Sequence, residues 1–299
     1  MQTLTFPGAL YGHGNFSRRI KLLKPATTDR DVLIDLSQVT FVRPDGIAHL
    51  IALIYTLFGR GYEIRVARPL NDSADLYLRR SNCWGALGNN GVTIPDGWEG
   101  FNQGGAARLI ECQRIPTAAN DKYNNVEQNA ILAERMRVAF QETGLATPLY
   151  RLFVELGGNA AEHSESQHGA FIMAQAYPAT SEIHISVVDV GIGIRAALYA
   201  GHKFKTDREA VRAAVLFGIT GRVDAAGNPK GGGTGLASAR EEAHQLTVRS
   251  GSAVLESALL RTPEGTLLPA RDDRMLVMVE ADCPPLDGTI VSAVIRARP

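Results

Sequence analysis

Cysteine is scarce in this 299-residue chain: Cys83, Cys112 and Cys283 are its only three, widely separated and without a CxxC pair. A disulfide framework or a structural zinc site needs more sulfur at closer spacing, so neither is expected and a reducing compartment is the natural reading. Long apolar runs are also missing. The longest, residues 47–58, contains His49 and falls well short of the roughly 20 residues that cross a bilayer. Net charge is absent, with 31 Lys+Arg against 31 Asp+Glu, whereas a chain built to coat nucleic acid needs a basic excess to neutralise phosphates. The first ten residues lack the basic start and apolar core of a signal peptide. There is no internal repeat, no low-complexity tract, and no Gly-Lys-Ser/Thr of a Walker A loop. These absences predict a soluble cytoplasmic protein with neither membrane nor nucleic acid as partner.

What is present is an ordinary hydrophobic fraction of 45% and a length that favours two domains. Residues 31–36 read as a buried strand, with 39–42 as a short apolar continuation. Pro44-Asp45-Gly46 makes a turn, and Ile47, Leu50, Ile51, Ile54, Leu57 and Phe58 then recur at helical spacing. That helix is expected to end at Gly59 or Gly61, before a strand over 62–67. Strand, helix and strand at this spacing predict a βαβ unit with parallel pairing.

Residues 81–105 are glycine-rich and carry little periodicity, as a connector would. From Asn125 the pattern is helical until Gly144, and Thr147-Pro148 offers an N-cap and a first-turn proline for a second helix ending at His163. Strands are expected over 170–176 and 182–189, followed by a helical or irregular stretch over 195–230. A glycine run at 231–235 opens a helix to about residue 246, and strands follow over 247–256, 275–281 and 289–296.

Three segments carry chemistry. In the second of the two helices, Glu155, Asn159 and His163 stand four apart and so share one face. A carboxylate, an amide oxygen and an imidazole in one row can serve as base, magnesium ligand and phosphate contact. Gly157-Gly158, inside the same helix, costs about 1 kcal/mol per residue relative to alanine, which points to a close approach to the backbone. The strand over 182–189 delivers Asp189 at its end, followed by Gly191-Ile-Gly193-Ile194. Gly231, Gly232, Gly233, Thr234, Gly235 and Leu236 open a helix whose backbone N–H groups can cradle an anion.

Together and in this order, the segments resemble the GHKL superfamily of gyrase, heat-shock chaperone, histidine kinase and mismatch-repair ATPases. Glu155-xxx-Asn159 resembles its N box, Asp189-x-Gly191-x-Gly193 its G1 box, and Gly232-Gly-Thr-Gly-Leu236 its G2 box. Gly288-Thr289, entering the last strand, resembles the closing Gly-Thr element near the adenine. The resemblance implies that Asp189 accepts the adenine amino proton and that Asn159 binds Mg²⁺. It implies that 231–236 hold the phosphates of ATP and that 195–230, with Lys203, Lys205, Arg222 and Lys230 in or beside it, form an ATP lid.

Glu155 separates branches of the superfamily: a water or serine nucleophile needs a base, an imidazole does not. An ATPase or an anti-sigma-type protein serine kinase is therefore expected ahead of a histidine kinase-related domain, and a non-catalytic ATP-gated binding module is the alternative from another class. The family further implies a regulatory protein partner or substrate and leaves a homodimer open. A dinucleotide reading of Gly191-x-Gly193-x-x-Ala196, with Asp207 downstream, leaves the helix row and the second glycine run unexplained.

The stretch from Asp35 through Asp45-Gly46-Ile-Ala resembles the STAS domain of anti-sigma-factor antagonists. That family commonly has a Ser or Thr phosphoacceptor just before this glycine. Here the position is Asp45, which a serine kinase cannot phosphorylate. The expected architecture is α/β (α+β): a STAS-like βαβ domain over 1–80, a glycine-rich connector over 81–119, and a GHKL two-layer α/β sandwich (Bergerat fold) over 120–299.

Overall fold

A computed structural model describes residues 1–23, 30–87, 92–93, 109–119, 125–216, 219–221, 235–258, 260–261, 267–268, 276–280 and 283–296. The fold is mixed α and β, built mainly on a four-stranded parallel sheet and a seven-stranded antiparallel sheet. No helix among the described residues is long and apolar enough to cross a membrane.

The amino-terminal unit runs β1 (Gln2–Thr5), β2 (Gly8–Leu10), α1 (His13–Ile20), β3 (Asp31–Asp35), β4 (Val39–Val42), α2 (Pro44–Gly59), β5 (Glu63–Ala67), α3 (Asp72–Arg80), α4 (Cys83–Leu87) and β6 (Val92–Thr93). Strands β1, β3, β5 and β6 form a parallel sheet in the order β1-β3-β5-β6, with β3–α2–β5 as the crossover. Residues 39–42 do not continue β3. Asp35 Oδ1 accepts the Ser37 N–H at 2.9 Å and the Val39 N–H bonds the Leu36 carbonyl at 2.9 Å, so the chain turns and β4 pairs with β2 instead.

Helix α2 starts with Pro44 in its first turn, where a missing N–H costs nothing. Gly46 is there because a Cβ would lie 1.9 Å from the Leu10 carbonyl oxygen. Every residue of α2 from Gly46 to Leu57 is buried, and a helix apolar all round needs cover on all sides. The second cover comes from the rest of the chain.

That remainder runs β7 (Leu109–Ile115), α5 (Asn125–Ala139), α6 (Ala146–His163), β8 (Ala170–Tyr177), β9 (Glu182–Asp189), α7 (Gly193–Ala197), α8 (Asp207–Ala214), α9 (Gly235–Glu242), β10 (Gln245–Gly251), β11 (Ala253–Ala258), β12 (Leu260–Arg261), β13 (Leu267–Leu268), β14 (Leu276–Glu280) and β15 (Leu286–Arg296). Seven strands form one sheet in the order β14-β11-β10-β15-β9-β8-β7, and every neighbouring pair is antiparallel. Strand β9 shows how it is covered on both faces. Ile183, Ile185 and Val187 join the core under α5, α6 and α9, while Val188 joins the core that holds α2. Phe171, Met173, Leu286 and Ile290 also point to the α2 side, and Tyr55 of α2 stacks between His168 and Phe171 at 4.6 and 5.7 Å. The two units share an apolar seam.

Several boundaries differ from expectation. Residues 109–115, expected in the connector, are the edge strand β7. Helix α6 begins at Ala146, with Leu145 at the cap position and Thr147-Pro148 already in the first turn. The capping work is done one turn earlier: Gly144 takes φ 71°, and Thr143 Oγ1 accepts the Leu145 N–H at 3.2 Å. Residues 247–256 are not one strand but parts of the β10–β11 hairpin, which reverses at Gly251 with φ 57°. Helix α9 stops at Glu242 because β10 takes over from Gln245.

Candidate functional site

A cavity of about 520 Å³ opens between α6 and the carboxyl end of β9, on the face of the sheet away from α2. The four-residue spacing along α6 places Glu155, Asn159 and His163 in its wall, with Gly158 between them. Asp189, Gly193, Ile194, Gly235, Leu236 and Thr289 line it as well. Of the residues expected to act here, Gly231, Gly232, Gly233 and Thr234 lie outside the described residues, as do Arg222 and Lys230.

Asp189 is the polar focus. It ends β9 between two paired strands, facing Ala170 of β8 and Thr289 of β15, and is 6% exposed. Its Oδ1 accepts the Gly191 N–H at 2.9 Å. Burial pushes its carboxyl up to about 7, against the lowering effect of backbone N–H groups of Gly191 and Thr289. Near neutral pH it therefore exchanges between a proton donor and an acceptor.

The glycines divide by task. Gly191 does not line the cavity. A Cβ on it would lie 1.7 Å from the Ser164 carbonyl oxygen, and the next residue, Ile192, donates its N–H to that oxygen at 2.8 Å. Gly191 thus lets the loop after β9 dock on the end of α6. Gly193 has φ 75°, a left-handed conformation that glycine adopts without strain. Gly288 lies against the Asp189 carbonyl oxygen, 2.1 Å from where its Cβ would be. At the start of α9, a Cβ on Gly235 would lie 2.5 Å from Asn159 Nδ2, so the Asn159 amide abuts the first residue of that helix.

Sequence reasoning missed Ser250. Its hydroxyl, buried in β10, accepts the Ile194 N–H at 2.9 Å and donates to the Gly288 carbonyl at 3.0 Å, with Thr289 Oγ1 at 3.4 Å. One side chain thereby ties the loop after β9 to the start of β15. A serine next to a glycine in a strand carries no signal that distinguishes this from a turn. Imidazole character also matters in the wall: burial lowers the His163 pKa, which favours the neutral ring.

The segment 195–230 is partly anchored. Thr206 and Glu209 form a capping box at α8. Asp207 Oδ2 accepts the backbone N–H and hydroxyl of Ser252 at 2.9 and 3.0 Å, and its Oδ1 faces Arg195 Nε at 3.3 Å. Lys203 and Lys205 do not line the cavity; Lys203 lies over the Tyr199 ring. Ile219, Thr220 and Gly221 do line it. Among the described residues of the wall there is no lysine or arginine. The dinucleotide alternative does not fit, because β9 has antiparallel neighbours on both sides and Asp207 is occupied with Ser252 and Arg195.

No protein-family model matches the chain, and a search of curated proteins finds no match.

Proposed function

We propose that the chain binds Mg·ATP in this cavity, as a GHKL-type two-layer domain carrying a STAS-like amino-terminal unit, and acts as a signalling or regulatory ATPase or protein serine kinase. The observation that carries the reading is convergence. Asp189, the Glu155-Asn159-His163 row, the start of α9 and Thr289 come from four distant stretches of sequence and face one cavity of small-molecule size.

Each group has a task that its surroundings suit. Ionised Asp189 accepts the exocyclic amino proton of the base, a bond to a charged group worth about 1.5–3 kcal/mol. Val187, Ile194, Leu198 and Val291 supply the apolar walls that a planar base needs. Glu155 lies one helical turn before Asn159 and takes the proton from a water or serine hydroxyl as it attacks the γ-phosphate. By the same resemblance 195–230 would form the lid, and within it α8 is held to the β10–β11 hairpin through Asp207.

The donors present fit magnesium. Magnesium keeps several waters and binds substrate phosphates, so it needs few protein oxygens, and Asn159 brings one to the cavity wall. Asn159, through its amide oxygen, would hold it, and the ion would supply charge neutralisation at the phosphates.

The β3–α2–β5 unit supports the STAS-like reading, and Asp45 stands at the position of that family's phosphoacceptor. Its carboxylate accepts the Gly12 N–H at 2.7 Å, so the position serves as a fixed link within the unit.

Turnover of Mg·ATP, followed as phosphate release and as transfer to protein serine, tests the proposal. Glu155→Gln should keep nucleotide affinity and lose about 10²–10⁴-fold in turnover. Unchanged turnover would remove Glu155 as the base. Binding without turnover in the unaltered chain would favour the ATP-gated module, and no ATP binding at all would overturn the reading.

A further inference from the structure

A second cavity, of about 480 Å³, lies on the opposite face of the seven-stranded sheet, between that sheet and the amino-terminal unit. It falls within the size range of small-molecule sites. Its floor is polar: Ser186 of β9, Thr247 of β10 and Ser292 of β15 line it, with the Ser186 and Ser292 hydroxyls 3.0 Å apart. Its roof is the turn into α1 and the first turns of α2.

Hydrogen-bond acceptors without partners line the roof. Asp45 Oδ2 takes the Gly12 N–H, whereas Oδ1 is buried and has no hydrogen-bond partner among the described residues. His49, 2% exposed, places Nδ1 2.7 Å from the Asp45 carbonyl oxygen. A carbonyl only accepts, so the proton is assigned to Nδ1 and Nε2 is left as an acceptor, likewise buried and unpartnered. Burial pushes the His49 pKa down to about 3, which keeps the ring neutral. Glu256 adds a carboxylate on the sheet side, 3.6 Å from His13.

Cations line the cavity as well. Arg18 is exposed and lies along its own helix, bonded to the Gly14 carbonyl and Asn15 Oδ1. The Arg43 guanidinium lies 4.5 Å over the Tyr11 ring and 5.7 Å over the Phe41 ring, both of which are exposed. Arg18 of α1, Glu256 of β11 and the Arg43–Asp45 start of α2 bring charge from three separate places in the fold, and no three acidic, His or Cys side chains among the described residues make a metal site.

We propose that this cavity is a second ligand site, separate from the nucleotide cavity, for a small molecule that carries both amino N–H donors and an anionic group. The donors meet Asp45, His49 and Glu256, and the anion meets Arg18 and Arg43. Two metabolite classes carry that chemistry, the amino acids and the nucleoside monophosphates.

Calorimetric titration distinguishes them. The chain carrying Asp189→Asn, which weakens the first cavity, is titrated with the twenty L-amino acids in one arm and with AMP, GMP, CMP and UMP in the other. Saturable binding is expected in one arm; in the nucleotide arm UMP, which lacks an exocyclic amino group, should be the weakest. Asp45→Asn keeps an oxygen for the Gly12 N–H and should weaken binding tenfold or more. Thr247→Phe, which fills the floor, should abolish it, and Arg43→Gln at the half-exposed rim should weaken it without loss of the folded circular-dichroism spectrum. Absence of binding in both arms overturns the proposal. So does binding that survives both Thr247→Phe and Arg43→Gln.

Discussion

Ser250 holds the backbone N–H of Ile194 at 2.9 Å, joining a strand of the sheet to the first helical turn after β9 across 56 residues of sequence. The same hydroxyl reaches the Gly288 carbonyl. Ser250→Ala leaves a buried donor and a buried acceptor with one partner fewer each, at a cost of about 1–3 kcal/mol. Thermal unfolding should shift down by several degrees, and ATP affinity should fall by about tenfold, measured by titration calorimetry. An unchanged affinity in a folded Ser250→Ala chain would show that the loop after β9 is placed without it.

Asp189 links stability to pH. Its carboxyl titrates at about 7 in the fold because it is buried, and near 3.9 in an unfolded chain. Between those values the folded chain holds the extra proton. Its contribution is complete below about pH 4 and is lost as pH rises through 7. Urea unfolding should therefore show less decline in stability from pH 4 to 7 in Asp189→Asn than in the unaltered chain. ATP binding should run the other way, tightening as pH rises through about 7 because the ionised carboxylate is the better acceptor. In Asp189→Asn, affinity should be about tenfold or more lower, and flat with pH.

Gly191 and Gly14 make an internal control. A methyl group on Gly191 meets the Ser164 carbonyl 1.7 Å away, while Gly14 has nothing within 4 Å of its Cβ position. Gly191→Ala should destabilise by at least the roughly 3 kcal/mol that marks the upper end of ordinary substitutions. Gly14→Ala, inside α1, should be neutral or stabilise by up to about 1 kcal/mol. Equal unfolding midpoints for the two variants would refute the close approach at Ser164.

The seam predicts cooperative unfolding. Tyr55, 2% exposed, sits between His168 and Phe171 of the other unit. Arg249 of β10, fully buried, donates to Ser17 Oγ of α1 at 3.2 Å and to the Pro284 carbonyl at 2.9 Å. Tyr55→Ala should cost about 3–5 kcal/mol, as for other large aromatic truncations, and should lower the midpoint seen by probes in both units together. Two separated transitions in the unaltered chain would contradict a shared core.

The local features of the site were legible because they depend on short-range rules. A spacing of four along α6 dictates a shared face for Glu155, Asn159 and His163, and alternation along β9 dictates which residues face α6. Proline and glycine marked the start of α2 and the turn after Asp189, since both act through backbone dihedrals. What only the tertiary structure decided depends on approach between distant segments. Ser250 became a tie only when β10 and β15 paired. Gly191 is required only because α6 ends beside it. The glycine-rich stretch after residue 80 led into an edge strand because β8 had an open side.

The scarcities with which the chain is read held a similar division. Few cysteines and no long apolar run are properties of composition; the three cysteines are buried and none is in a disulfide. The longest apolar run, by contrast, spells out a helix without saying what encloses it. Apolar residues at helical spacing determined the helix; the fold decided that two sheets cover it, with Val32, Ile34 and Ile64 of one and Phe171, Met173 and Ile290 of the other in the same core, because a helix buried all round needs cover on all sides.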